Sequence, residues 1–300
     1  MAPVARIAHI ICGASALHLM AALHALRPAV GGIVRNPILL LVTALYGLAQ
    51  VPNFFVPPTQ PILTAVVSLA TFGVFVLALP FFQGGLLGMA SEAIAGRTGL
   101  GTLVAEGKAN YVSLLLGYFV LLAINLVFGF VAFMGGLIVI VGGAASMPAE
   151  APGVGIDPTL LALLAIVGGG FLLAYLLVTF AVQFYAHAIV LDDTDLVDGF
   201  RRSVGLVRSN LLSVVGYSLI LLVGSVVLGT LAAAASLLLN PQPTGMSGTP
   251  FTDLASIEPT LPVLVVAGVG YLLLTSAFAA FYATYSVAFY ESIGRDTPSL

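Results

Sequence analysis

Six charge-free apolar stretches set the terms for everything else this chain can be. They run roughly over 37–56, 61–91, 110–145, 158–191, 210–238 and 261–290, and no Asp, Glu, Lys or Arg falls inside them. A helix that crosses a hydrocarbon core of about 30 Å needs about 20 mostly apolar residues. Helical geometry is required there because backbone N–H and C=O groups have no water to bond in the core. All six stretches reach that length. Composition agrees, since 60% of the 300 residues are hydrophobic and 7% are charged, where a soluble domain carries about 25% charged residues. The expected fold class is all-α: an integral membrane bundle of six transmembrane helices arranged as three hairpins with cytoplasmic amphipathic connectors.

Local signals refine the spans. Asn36-Pro37 and Asp157-Pro158 each put a capping side chain before a first-turn proline, whose missing N–H would be unpaired at that position anyway. The run 158–191 has 34 residues, roughly 50 Å at about 1.5 Å per residue, so it must tilt, kink or project. Gly168-Gly169-Gly170 is the expected kink, and Phe184-Tyr185-Ala186-His187 is expected to emerge towards the head groups. The run 110–145 is read as one long helix through Gly135-Gly136, because two full spans and a turn would need more residues.

Charge placement predicts the orientation. The nine basic residues lie at the N-terminus (Arg6, Arg27, Arg35), between spans two and three (Arg97, Lys108), between spans four and five (Arg201, Arg202, Arg208) and at the C-terminus (Arg295). The loops 52–60, 146–157 and 239–260 hold no base, and their only charges are Glu150, Asp157, Asp253 and Glu258. The positive-inside rule then puts both termini in the cytoplasm of a multi-pass protein of the cell membrane. The lipid bilayer is the expected partner, with anionic head groups as contacts. With a net charge of −3 and no basic block, nucleic acid is not. Cys12 is the single cysteine, so an internal disulfide and a C-x-x-C pair are excluded.

Phe81-Phe82-Gln83, Phe184-Tyr185-Ala186 and Phe281-Tyr282-Ala283 recur about every hundred residues at the ends of the even-numbered spans. Asn110-Tyr111-Val112-Ser113 with Gly117-Tyr118, and Asn210-Leu211-Leu212-Ser213 with Gly216-Tyr217, open the spans that follow the first two. The pattern suggests three similar hairpins. The connector 194–208 is the best amphipathic element, with Leu196, Phe200, Val204 and Val207 on one face and Asp198, Arg201, Arg202 and Arg208 away from it. It is expected to lie along the inner membrane surface, its three arginines near lipid phosphates. Segments 98–108 and 19–35 resemble it more weakly.

Chemistry-bearing residues are few. Asp195-Leu-Val-Asp198-Gly199-Phe-Arg201-Arg202 resembles the opening of the metal-binding signature of CDP-alcohol phosphotransferases, but the second set of carboxylates that chemistry needs is missing. Helix capping and intrahelical ion pairs account for these residues better. His187 has no His or Cys three or four residues away, so it reads as a hydrogen-bonded interfacial side chain, and His9, His18 and His24 share no helical face. Asn125 is the most polar residue deep in a span and reads as an interhelical hydrogen-bonding group. With no ionisable residue in any span interior, ion-coupled transport through a buried carboxylate is disfavoured. No cofactor is expected. Residues 1–19 form an N-terminal extension, with Met20 as an alternative start; residues 20–295 form a single six-helix membrane domain and 296–300 a tail.

The segment Phe184–Asp193, followed by Gly199-Phe-Arg-Arg-Ser-Val-Gly-Leu-Val-Arg-Ser-Asn210, resembles uncharacterised multi-pass proteins of halophilic archaea. Leu26-Arg-Pro, Arg35-Asn-Pro37 and Pro80-Phe-Phe-Gln-Gly-Gly85 fit the same family, and the resemblance covers most of 20–295. It is similar, more distantly, to the membrane domain that accompanies some glycerophosphodiester phosphodiesterases. That family is a domain of unknown function, so the resemblance implies a membrane fold and no catalytic residues. The functional expectation is a non-enzymatic membrane scaffold or partner-binding component. Permease-like movement of a small or lipidic solute is the alternative, and a lipid-modifying enzyme the third reading.

Overall fold

The computed structural model describes residues 22–48, 61–145, 158–239 and 261–295. The extension 1–19, nearly all of the three base-free loops and the tail 296–300 lie outside them, with Cys12, His9 and His18. Among the described residues every element is a helix. In chain order they are α1 (Ala22–Arg35), α2 (Ile38–Leu48), α3 (Pro61–Ala95), α4 (Leu100–Ala109) and α5 (Tyr111–Ala145). Then follow α6 (Pro158–Val182), α7 (Tyr185–Leu191), α8 (Leu196–Ser209), α9 (Leu211–Leu239) and α10 (Leu261–Arg295).

Five stretches are long and apolar enough to cross a membrane: α3, α5, the α6–α7 run, α9 and α10. A sixth exists if α1 and α2, which meet at 88°, count as one broken crossing. Their outward faces are hydrocarbon, with Leu69 72%, Ile166 73% and Val266 72% exposed. Water would not tolerate so continuous an apolar surface, whereas lipid matches it.

The chain divides into two compact units, residues 1–110 with 209–300, and residues 111–208. In the first, α10 is the central helix and packs on α2, α3 and α9. Its last turns bury Ala280, Thr284, Tyr285, Val287, Phe289 and Ile293. The rings of Tyr285 and Phe289 stack on Tyr217 of α9 with centroids 5.2 and 4.5 Å apart. The Thr43 hydroxyl of α2 lies 2.9 Å from both Leu39 O of its own helix and Ser276 O of α10. Small residues let α4 fold back on α3. A Cβ at Gly85 would collide with the Leu103 carbonyl, and one at Gly107 with the Phe81 carbonyl and ring.

The α1–α2 corner departs from expectation. Asn36 does not cap α2. It is 4% exposed, and its Nδ2 donates to Gly32 O (2.9 Å) and Gly96 O (3.1 Å) while its Oδ1 accepts from the Thr98 N–H (3.0 Å). The amide therefore ties the corner to the end of α3. Segment 19–35 likewise contributes more than a surface helix. Ala22, Ala25 and Ala29 of α1 are buried, Gly32 sits against the Ala93 backbone, and Tyr285 donates to Ala22 O at 3.1 Å.

In the second unit α5 is one uninterrupted helix of 35 residues through Gly135-Gly136. The fourth run differs. Helix α6 passes through Gly168-Gly169-Gly170 and stops at Val182, so the break falls at Gln183-Phe184 and not at the glycines. The reason is tertiary. Ser203 of α8, fully buried, accepts from the Phe184 N–H (3.0 Å) and donates to Ala181 O (2.9 Å), satisfying groups the interrupted helix leaves open. Phe184, Tyr185, Ala186 and His187 are buried, so this stretch is packed within the unit.

Candidate functional site

Helix α8 shows what its amphipathic pattern is for. Asp195 caps it, its Oδ1 accepting from the Asp198 N–H at 2.9 Å. The buried face is Gly199, Ser203, Leu206 and Val207. It docks on α7: a Cβ at Gly199 would lie 3.0 Å from Ile189 and 3.3 Å from Tyr185 O, and the Phe200 ring stacks on Tyr185 at 4.9 Å. Of the predicted stripe Leu196, Phe200, Val204 and Val207, only Val207 is fully buried; the other three flank the face. Hydrophobicity alone missed Gly199 and Ser203, which form its centre.

The predicted lipid-contact residues lie on the outer side. The Arg201 side chain is 77% exposed and 3.4 Å from Asp198; Arg202 pairs with Asp192 at 2.7 Å; Arg208 is exposed. Three of the four carboxylates of this segment, Asp192, Asp195 and Asp198, thus serve a cap and two ion pairs. No cluster of three His, Cys, Asp or Glu able to hold a metal occurs among the described residues. His187 is buried, with its ring edge-on to Phe184 at 5.6 Å, while His24 is exposed on α1.

Asn125 leads to the second unit's cavity. Its Nδ2 donates to Leu121 O at 2.8 Å and its Oδ1 accepts from the Tyr175 hydroxyl of α6 at 2.7 Å. This pair closes one end of an apolar groove between α5 and α6 of about 530 Å³. On the α5 side the groove is floored by Gly129, Ala132 and Gly136, at helical spacing. On the α6 side stand Gly168, Phe171 and Tyr175, and Phe128 of α5 meets those two rings at centroid distances of 4.8 and 5.2 Å. A Cβ at Gly129, Gly136 or Gly168 would meet nothing within 4 Å. The groove lies within the membrane-candidate stretches and has no ionisable lining residue apart from the Tyr175 phenol. Of its residues the sequence marks Asn125 as a polar contact, and Gly135, Gly136 and Gly168 only as points where a helix could break. The recurrence of small residues at 129, 132 and 136 was the available signal for the rest.

Long uncharged helices, an apolar outer surface and polar side chains spent on interhelical bonds fit the class of helical membrane proteins. Within that class the chain belongs to a family described as a domain of unknown function, DUF7847, which matches residues 20–293. No curated protein and no solved structure matches it.

Proposed function

We propose that the protein is a non-enzymatic membrane scaffold that receives an apolar transmembrane segment of a partner in the α5–α6 groove. The observation that carries this reading is the groove itself, whose glycine floor has room above it and whose polar groups are bonded to each other. Small residues let helix backbones approach closely, which is how helices associate where lipid removes the hydrophobic drive. A passage for a polar solute would call for convergent polar groups, and the lining offers one amide and one phenol. The paired and capping carboxylates of 192–198 weigh against the enzyme reading.

In this reading the chain crosses the cell membrane six times as three hairpins with both termini cytoplasmic, and α8 lies at the inner head-group layer with Arg201, Arg202 and Arg208 near anionic lipid. Eight arginines to one lysine and acid-only outer loops suit a salt-loving host, in keeping with the resemblance to proteins of halophilic archaea.

A photo-reactive residue at Ala132 tests the scaffold function. In native membranes it should give one discrete protein adduct, and that adduct should be lost in Gly136→Leu, whose side chain projects into the groove from a Cβ with nothing within 4 Å. Adducts to lipid alone, or an adduct unchanged by Gly136→Leu, would sink the reading. Accumulation of a polar solute in vesicles that depends on Asn125 would favour the permease alternative.

A further inference from the structure

The α1–α2 corner carries a second cleft, independent of the α5–α6 groove. It measures about 460 Å³ and is open to the outside, lined by Arg35, Pro37, Ile38, Leu41, Arg97 and Thr98. Two features distinguish it from a chance gathering of surface side chains. The first is charge. Arg35 and Arg97 lie 62 positions apart in sequence yet line one cleft, and neither forms an ion pair with a carboxylate among the described residues. Like charges placed together repel unless an anion lies between them. Glu92, the acid bonded to the cleft's Thr98, accepts from the Thr98 and Thr102 hydroxyls at 2.9 and 2.6 Å. By contrast, Arg201 and Arg202 of α8 each have an aspartate.

The second feature is preorganisation at a particular depth. The Arg35 guanidinium is held by Gly31 O (3.0 Å, through Nε) and Ile94 O (3.3 Å, through Nη2), the carbonyl-rich ends of α1 and α3 where a cation is favoured. Its remaining N–H groups are left for a ligand. Arg97 comes two residues after α3, and with it an apolar candidate span, ends at Ala95. The floor is rigid, because Asn36 and Thr98 are bonded to each other across the corner at 3.0 Å. Leaving the arginines along α2, the wall becomes apolar: Ile38, then Leu41, which is 60% exposed.

We propose that this corner binds the phosphate of an anionic membrane lipid, held by Arg35 and Arg97 while its acyl chain follows Ile38 and Leu41. Guanidinium groups match phosphate oxygens with paired, charge-assisted hydrogen bonds, and basic pockets beside membrane helices take phosphorylated head groups. The apolar wall favours the lipid over free phosphate.

The test is native mass spectrometry of the full chain in mild detergent, titrated with phosphatidylglycerol, phosphatidylcholine or inorganic phosphate. The wild type should retain one phosphatidylglycerol at least ten-fold more tightly than phosphatidylcholine, with millimolar inorganic phosphate competing poorly. Arg97→Gln should lower that affinity ten-fold or more, with the lipid-free melting temperature unchanged because Arg97 is exposed and carries no side-chain bond among the described residues, and Arg97→Lys should recover part of it. Equal retention of the two lipids, or retention unaffected by Arg97→Gln, would overturn the site. Competition by inorganic phosphate as strong as by phosphatidylglycerol would overturn the lipid assignment in favour of a free anion. Arg35→Gln provides a second, independent variant, and loss of preference there without loss of folding would agree with the proposal.

Discussion

At the scale of the residue, Asn36 and Ser203 do the same job in different places. Each is a small polar side chain buried where a helix is interrupted, and each supplies the hydrogen bonds that the interruption removes. Asn36→Ala would remove the side-chain partner of the Thr98 N–H and Gly96 O, and Ser203→Ala that of the Phe184 N–H and Ala181 O. Each should cost about 1–3 kcal/mol, the range for leaving a buried polar group unpaired, read as a lower melting temperature in detergent. An unchanged melting temperature for both would mean that water takes over these bonds. The glycines divide by what surrounds them. Gly85→Ala forces a Cβ into the Leu103 carbonyl and should destabilise by about 1–3 kcal/mol. Gly136→Leu points into free space and should leave stability within about 0.5 kcal/mol of wild type.

At the scale of the element, α8 is a docked helix whose contact surface is built from small residues. Gly199→Val would push it off Ile189 and the Tyr185 carbonyl. Trypsin should then cut at Arg201 and Arg202 markedly faster than in the wild type, while Arg201→Gln, altering an exposed pair, should leave the rate at Arg202 and Arg208 unchanged. If α8 also touches anionic lipid, replacing Arg201, Arg202 and Arg208 by Gln should reduce retention of bulk phosphatidylglycerol at low salt and matter little at high salt, because exposed charges are screened within a Debye length of about 10 Å at 0.1 M. These elements also show which features a sequence can reveal. The long spans α3, α5, α9 and α10 were legible because a membrane demands an uninterrupted apolar run. The break at Gln183-Phe184 was not, because its cause is Ser203, twenty residues on and in another helix. The triple glycine, a plausible kink by composition, has open space around it and stays helical. The buried face of α8 was only half legible, since a search for apolar spacing overlooks Gly199 and Ser203. The arginine cleft was hidden altogether, because only folding brings Arg35 and Arg97 together.

At the scale of the whole molecule, the proposed topology is a chain threaded through the bilayer with all its bases on one side. Apart from Arg27 within α1, each described base lies beside a helix end or on a short connecting helix, and the acid-only loops alternate with these segments along the sequence. The choice of reporter matters, because Ser203 is buried and a cysteine there would be silent on either side of the membrane. Val197 and Arg201 are exposed and free of that ambiguity. The most direct measurement is labelling by a membrane-impermeant thiol reagent in sealed cells, using single cysteines in a Cys12→Ser background at Thr59, Gly153, Gly248 and Arg201. Labelling should be rapid at Thr59, Gly153 and Gly248, and should occur at Arg201 only after the cells are permeabilised. Labelling of Arg201→Cys in sealed cells as fast as in permeabilised ones, or protection of any of the other three, would contradict the proposed topology.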